Sequence, residues 1–186
     1  MKRNCLIAAA ALWVAHAASA QDSLLWSEEF ESGAQPDERI WTYDIGFGVN
    51  GWGNRELQYY TDEPENVSIE DGMLHIRAVS HPSGRPFTSG RIKTEDKLTI
   101  LYGTIEARIK VPDLADGLWP AFWTLGNNFS EVGWPMCGEL DIMEMGNSAA
   151  ISDGVINRRV GSTAHWDNAG EYANFGQYLD APADLS

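Results

Sequence analysis

Alternation of apolar and polar residues with a period of two, set against very little helical periodicity, is what most restricts the folds open to this chain. Between Thr104 and Val111, the residues Ile105, Ala107, Ile109 and Val111 fall on one side of an extended backbone. Thr104, Glu106, Arg108 and Lys110 fall on the other. A strand with one buried face and one wet face produces this pattern. Asn66 to Glu70 and Met73 to Val79 flank Asp71-Gly72, a pair that accepts the positive φ angles of a tight hairpin turn. Further strand-like runs occupy Leu24 to Phe30, Leu57 to Thr61, Ser89 to Thr94, Ala121 to Leu125, Glu139 to Met145 and Val155 to Trp166. Glycines and prolines separate them at short intervals. Many short strands joined by turns predict an all-β fold of two packed antiparallel sheets. No linker, repeat or low-complexity segment interrupts the chain, and 186 residues suit one domain.

Charge narrows the partners. The chain has 27 acidic against 13 basic residues and a formal net charge of −14. That excludes a nucleic-acid footprint, which must neutralise phosphates, and disfavours anionic membranes and polyanionic substrates. A hydrophobic share of 44% excludes a disordered acidic tail. Eight tryptophans are more than a core of this size requires, and they point to a neutral, ring-shaped ligand.

Met1 to Ala20 is predicted to be a secretory signal. It has a short basic start, an Ala-rich apolar run from Cys5 to Ala18, and small residues at Ala18-Ser19-Ala20. Its removal takes Cys5 and leaves Cys137 as a lone thiol, so the exported domain is expected to be held by its core rather than by a disulfide. The product is predicted to be secreted or periplasmic, off the membrane after cleavage, and monomeric.

Several apparent motifs carry no function. Gly46-Phe47-Gly48-Val49-Asn50-Gly51 has dinucleotide-fingerprint spacing, but Trp52-Gly53-Asn54 does not open a helix, so it reads as a surface loop. Asn66-Val67-Ser68 and Asn128-Phe129-Ser130 are glycosylation sequons by pattern only. The four histidines show no metal-ligand spacing.

The chemistry concentrates in Glu139-Leu140-Asp141-Ile142-Met143-Glu144, three carboxylates within six residues and without a compensating cation. Like charges crowded on one strand raise at least one pKa, as acid–base chemistry requires. Glu139 and Asp141 share a face, whereas Glu144, five positions from Glu139, would point to the opposite one. A β-bulge at Ile142-Met143 restores the parity and turns all three acids the same way. Two leaning glutamates then permit the ~5–5.5 Å carboxyl separation of a retaining glycosidase.

This run resembles the bulged signature of glycoside hydrolase family 16. The resemblance extends through Trp52 to Thr61, Ser89-Gly90-Arg91-Ile92, Gly117 to Trp123 and Thr163-Ala164-His165-Trp166, stretches similar to those of bacterial laminarinases, the endo-β-1,3-glucanases. It implies a concanavalin-like β-jelly roll with a glucan cleft across its concave sheet. Family domains continue with further strands after a segment like Ala181 to Ser186, so the resemblance also implies a sandwich incomplete at its C-terminal end. By position, Glu139 would be the nucleophile and Glu144 the general acid and then base, with Asp141 sharing a proton between them. No metal or redox cofactor takes part in that chemistry. Some members hold a structural calcium partly through backbone near positions matching Glu29 and Gly33, which leaves calcium open for this chain.

The implied partner is a neutral β-glucan, whose sugar faces pack on indole. Trp119, Trp123 and Trp134 are candidates for subsite contact, each also suited to a core. Asn54 and Arg91 are read as donors to sugar hydroxyls or as structural residues, and His165 is assigned to the cleft. Cys137 is read as a buried thiol without chemistry. The alternatives are a non-catalytic glucan-binding protein on the same scaffold, or a family 16 hydrolase of mixed-linkage glucan or agar.

Overall fold

The computed structural model describes residues 23–114 and 117–186, and the proposed export signal lies outside them. Eleven strands are present among the described residues: β1 (Thr42–Tyr43), β2 (Tyr59–Tyr60), β3 (Val67–Glu70), β4 (Met73–Ile76), β5 (Val79–Ser80), β6 (Phe87–Ser89), β7 (Ile92–Lys93), β8 (Ala121–Leu125), β9 (Glu139–Glu144), β10 (Arg159–Asn168) and β11 (Glu171–Asp180). Two single-turn helices, α1 (Phe129–Val132) and α2 (Ser148–Ser152), lie between β8 and β9 and between β9 and β10. The all-β expectation therefore holds. No helix among the described residues is long and apolar enough to cross a membrane.

The largest sheet has the strand order β11-β10-β9-β8 and is antiparallel throughout. The acid-bearing β9 is an inner strand, with a partner on each side. The other ladders are small: β1 with β7, β3 with β4, and β2-β6-β5. The β2–β6 pair is parallel, unlike the rest, and corrects the expectation of uniformly antiparallel pairing. Asp71 and Gly72, with φ of 52° and 69°, make the expected tight turn between β3 and β4.

Two expected strands are absent. Leu24 to Phe30 and Thr104 to Val111 are extended or irregular and have no ladder partner among the described residues. In the second segment, alternation is present but pairing is not. Ile109 is exposed, and a single backbone bond, from Val111 N–H to the Leu185 carbonyl at 3.3 Å, ties its end down. Alternation measures amphipathicity, and a ladder additionally needs a neighbour.

Packing behind β9 anchors the site. Val111, Leu114 and Met145 form a buried cluster against Leu118, Met143, Ile156, Val160 and Leu185. Burying side chains such as Leu114 and Met145 contributes about 1.5–3 kcal/mol each. Gly146 follows directly, at φ 93°, and a Cβ there would lie 2.2 Å from the Leu118 carbonyl oxygen. Gly146→Ala combines left-handed strain with overpacking and is expected to cost about 3 kcal/mol, lowering Tm in a thermal melt by about 6–12 °C.

A second buried centre excludes one sequon from modification in the folded protein. Asn66 is 1% exposed. Its amide accepts from Thr61 Oγ1 at 2.6 Å and donates to the Arg77 carbonyl and Thr88 Oγ1, each at 3.0 Å. Asn128, in the other sequon, is exposed.

Candidate active site

Register places the three acids. Moving along β8, Phe122 pairs with Met143 but Trp123 pairs with Asp141, so Ile142 is the additional residue of a bulge. On the other side Gly161, Thr163 and His165 pair with Glu144, Asp141 and Glu139. Alternate residues of β10 share a face, so Glu139, Asp141 and Glu144 do as well. The bulge leaves a carbonyl off the ladder, and Ser162 Oγ donates to it at 2.8 Å from Ile142 O. The parity inferred from the spacing is thus the one observed.

The side chains form a connected cluster. Asp141 is buried between Glu139 and Glu144 on the strand, and its charge bears on both. His165 Nε2 lies 2.8 Å from Asp141 Oδ2. Trp134 sits beside the Glu139 carboxyl and Trp119 beside that of Glu144, each favouring the charged form of its glutamate. Each glutamate therefore has its own tryptophan, while Asp141 is common to both.

Burial pushes the Glu139 carboxyl up to about 7, reinforced by the charge and hydrogen bond of Asp141 and opposed by His165 and Trp134. Glu144 is raised for the same leading reason, burial, then by Asp141, with Trp119 and His165 opposing. Both glutamates therefore hold a proton above the usual carboxylate range.

Donor atoms of Glu139, Asp141 and His165 lie within 4.8 Å of one another, the one three-donor group among the described residues. Spacing along the chain did not reveal it because its members come from two strands. Within it, His165 and Asp141 already meet at hydrogen-bond distance. Glu29 and Gly33, the positions relevant to calcium, lie on an exposed segment. Glu29 belongs to no such group among the described residues.

Of the other predicted residues, Trp123 sits opposite Asp141. The Arg91 guanidinium lies 4.9 Å from its ring and 4.8 Å from that of Trp52, a cation held between two indoles. Arg91 Nε also pairs with the buried Asp44 at 2.8 Å, and Lys93 holds the second Asp44 oxygen at 2.8 Å. Arg91 thus has a structural assignment: it ties the Gly51–Arg55 loop to β8. Asn54 remains within that loop, with Nδ2 3.4 Å from Glu56 Oε1. Glu56 also accepts from Gln58 and, at 2.7 Å, from the Tyr60 hydroxyl, so it is the hub of the loop. Burial and this bond raise Tyr60 well above an ordinary phenol.

Two hollows adjoin these groups. One of about 420 Å³ opens beside Glu144 and is lined by Trp119, Asn147, Thr163 and Tyr178, among others. The other, about 510 Å³, borders Asn50, Gly51, Gly53, Arg55 and Glu56. Sequence reasoning did not single out Trp52, Glu56, Tyr172 or Tyr178. Trp52 and Glu56 lay inside a quoted stretch, whereas the two tyrosines had no local signal. Cys137 is a free thiol, half-buried rather than buried as expected, and burial raises its pKa.

Comparison with known proteins follows this geometry. A family model described as β-glucan synthesis-associated protein SKN1/KRE6/Sbg1 matches residues 11–137, more than half of the chain. A β-glucanase of Rhodothermus marinus is 40% identical over 141 residues, covering 73% of this chain and 48% of that protein. Among solved structures, the laminarinase catalytic domain of Thermotoga maritima MSB8 aligns with a TM-score of 0.69 and 44% identity, covering 86% of this chain and 63% of that one. A glycoside hydrolase family 16 endo-glucanase from Bacteroides ovatus aligns with a TM-score of 0.72 and 32% identity, covering 87% and 66%. The chain spans less than half the length of the curated relatives it matches.

Proposed function

This chain belongs to glycoside hydrolase family 16, to which the matched β-glucan synthesis-associated model is related, and from that premise we propose that it hydrolyses β-1,3-glucan by an endo-acting, retaining mechanism. The observation that carries this reading is one strand presenting two glutamates to one face across a bulge, with a buried aspartate between them on that face. A purely glucan-binding protein has no use for two half-buried glutamates whose pKa values are raised by burial and by the aspartate between them.

The reaction runs in two displacements. Glu139, ionised, attacks the anomeric carbon while Glu144, protonated, gives its proton to the departing glycosidic oxygen. The C–O bond breaks and a glycosyl ester to Glu139 forms. Glu144, now a carboxylate, takes a proton from water, whose oxygen displaces Glu139 and restores the β-configuration. In the free protein the proton favours Glu139 as well as Glu144. Asp141 lies between them and provides the route by which one proton passes from nucleophile to acid. No cofactor enters any step.

Neutral glucan suits this acidic chain, and Trp119, Trp123 and Trp134 offer indole faces around the acids. Export follows from the basic, apolar and small-residue pattern of Met1 to Ala20, and the protein acts outside the cytoplasm as a monomer. The test is reducing-sugar release from laminarin, compared with mixed-linkage glucan and agarose. Laminarin is expected to be cleaved fastest, and NMR to show the β-anomer formed first. No release from any substrate by folded protein sinks the enzyme reading, and initial α-anomer sinks retention.

A further inference from the structure

We propose that Tyr172 is a positioning residue that fixes the tautomer of His165 and, through it, the orientation of Asp141 between the two glutamates. This deepens the glycosidase reading and rests on it.

Tyr172 lies near the start of β11, just past the tight turn at Ala169-Gly170, and pairs with Asp167. His165 pairs with Asn174, so Tyr172 and His165 are diagonal neighbours on one face, within reach of long side chains. The Tyr172 hydroxyl is 2.8 Å from His165 Nδ1, and His165 Nε2 is 2.8 Å from Asp141 Oδ2. The Tyr172 and His165 rings are nearly parallel, 15° apart, and Trp134 packs 5.0 Å from Tyr172. One continuous path therefore runs from a phenol through an imidazole to the carboxyl that both glutamates share.

The donor inventory assigns the protons. A carboxylate only accepts, so the imidazole proton belongs on Nε2, where it donates to Asp141. The Nδ1 lone pair is then free to accept, and the phenol O–H is its donor. Without the phenol, the Nε2–H form loses its second hydrogen bond and is held by Asp141 alone. In the Nδ1–H form the bare Nε2 lone pair faces the Asp141 oxygen and repels it. Asp141 would swing, and the path between Glu139 and Glu144 would open. Tyr172 touches no reacting atom in this scheme; it acts through His165.

Tyr172→Phe removes the hydroxyl and keeps the ring against Trp134. With 15N-labelled histidine, the His165 resonances of the wild-type protein should show a proton confined to Nε2, identified by their loss in His165→Gln. In Tyr172→Phe the two ring nitrogens should move toward averaged shifts. On laminarin, kcat should fall about five- to tenfold, the worth of one neutral hydrogen bond, with KM within about twofold. An unchanged Nε2–H tautomer in the variant overturns the proposal. So does a raised KM with unaltered kcat, which makes Tyr172 a sugar platform instead. The NMR result is read whether or not glucan is turned over, so failure of the glycosidase reading and failure of this one are separable.

Discussion

Glu139→Gln is expected to lower turnover of β-1,3-glucan by on the order of 10⁴–10⁶-fold, the scale seen when a covalent nucleophile is removed from other enzymes. The amide cannot form the glycosyl ester, yet it keeps the shape of the side chain, so glucan affinity measured by titration should be nearly unchanged. A rate within tenfold of wild type removes Glu139 as nucleophile. The same variant should be more stable, and the sign is set by the direction of its pKa. Glu139 is raised from 4.5 to about 7 by burial and by Asp141. Below pH 4.5 the group is protonated in both folded and unfolded states and contributes no difference. As pH rises toward 7 the unfolded chain releases the proton first, so stability falls, and above 7 the whole penalty of a half-buried carboxylate is present. Solvent screening reduces that penalty to about 1 kcal/mol. Glu139→Gln should therefore raise Tm by about 2–4 °C at pH 8 and leave it unmoved at pH 4. The acid limb of kcat/KM should lie near pH 7, since only ionised Glu139 attacks.

Glu144→Gln should separate the two displacements. On glucan, whose leaving alcohol needs a proton, the rate is expected to fall by about 10²–10⁴-fold. An aryl glucoside with a dinitrophenolate leaving group needs no proton to depart, so the first step should persist as a burst and the glycosyl ester to Glu139 should accumulate. Azide, which attacks without a general base, should then restore turnover and yield a β-glucosyl azide. Equal losses on glucan and aryl glucoside, with no rescue by azide, would place the acid elsewhere. The hollow beside Glu144, with Trp119 on its wall, fits a group that meets the departing sugar.

How far the chain could be read follows from which contacts are local. The run from Glu139 to Glu144 carries its own parity, so the bulge at Ile142 was legible from spacing alone. The tryptophans near that run could be named from sequence proximity, and Trp119 and Trp134 each stand beside one glutamate. Arg91 is different: its guanidinium belongs to Asp44, far back in the chain, and to two indoles that only the fold brings together. Its assignment depended on a partner that no motif announces. β11 escaped detection because Asn174, Gly176 and Gln177 dilute its strand character. Without β11 the register that brings Tyr172 to His165 cannot be drawn. The opposite error occurred at Thr104 to Val111, where a strong pattern has no neighbouring strand among the described residues.

The hydroxyl of Ser162, spent on the stray carbonyl at Ile142, gives this catalytic strand a hidden dependency. Were the bulge to straighten, every residue after it would rotate by half a repeat: Glu144 would leave the cleft and Met145 would enter it. The extra residue at Ile142 thus sets which side chain joins Glu139 and Asp141 on their face. An alignment that scores only the acids would pass over the residue that decides whether the last of them faces the sugar.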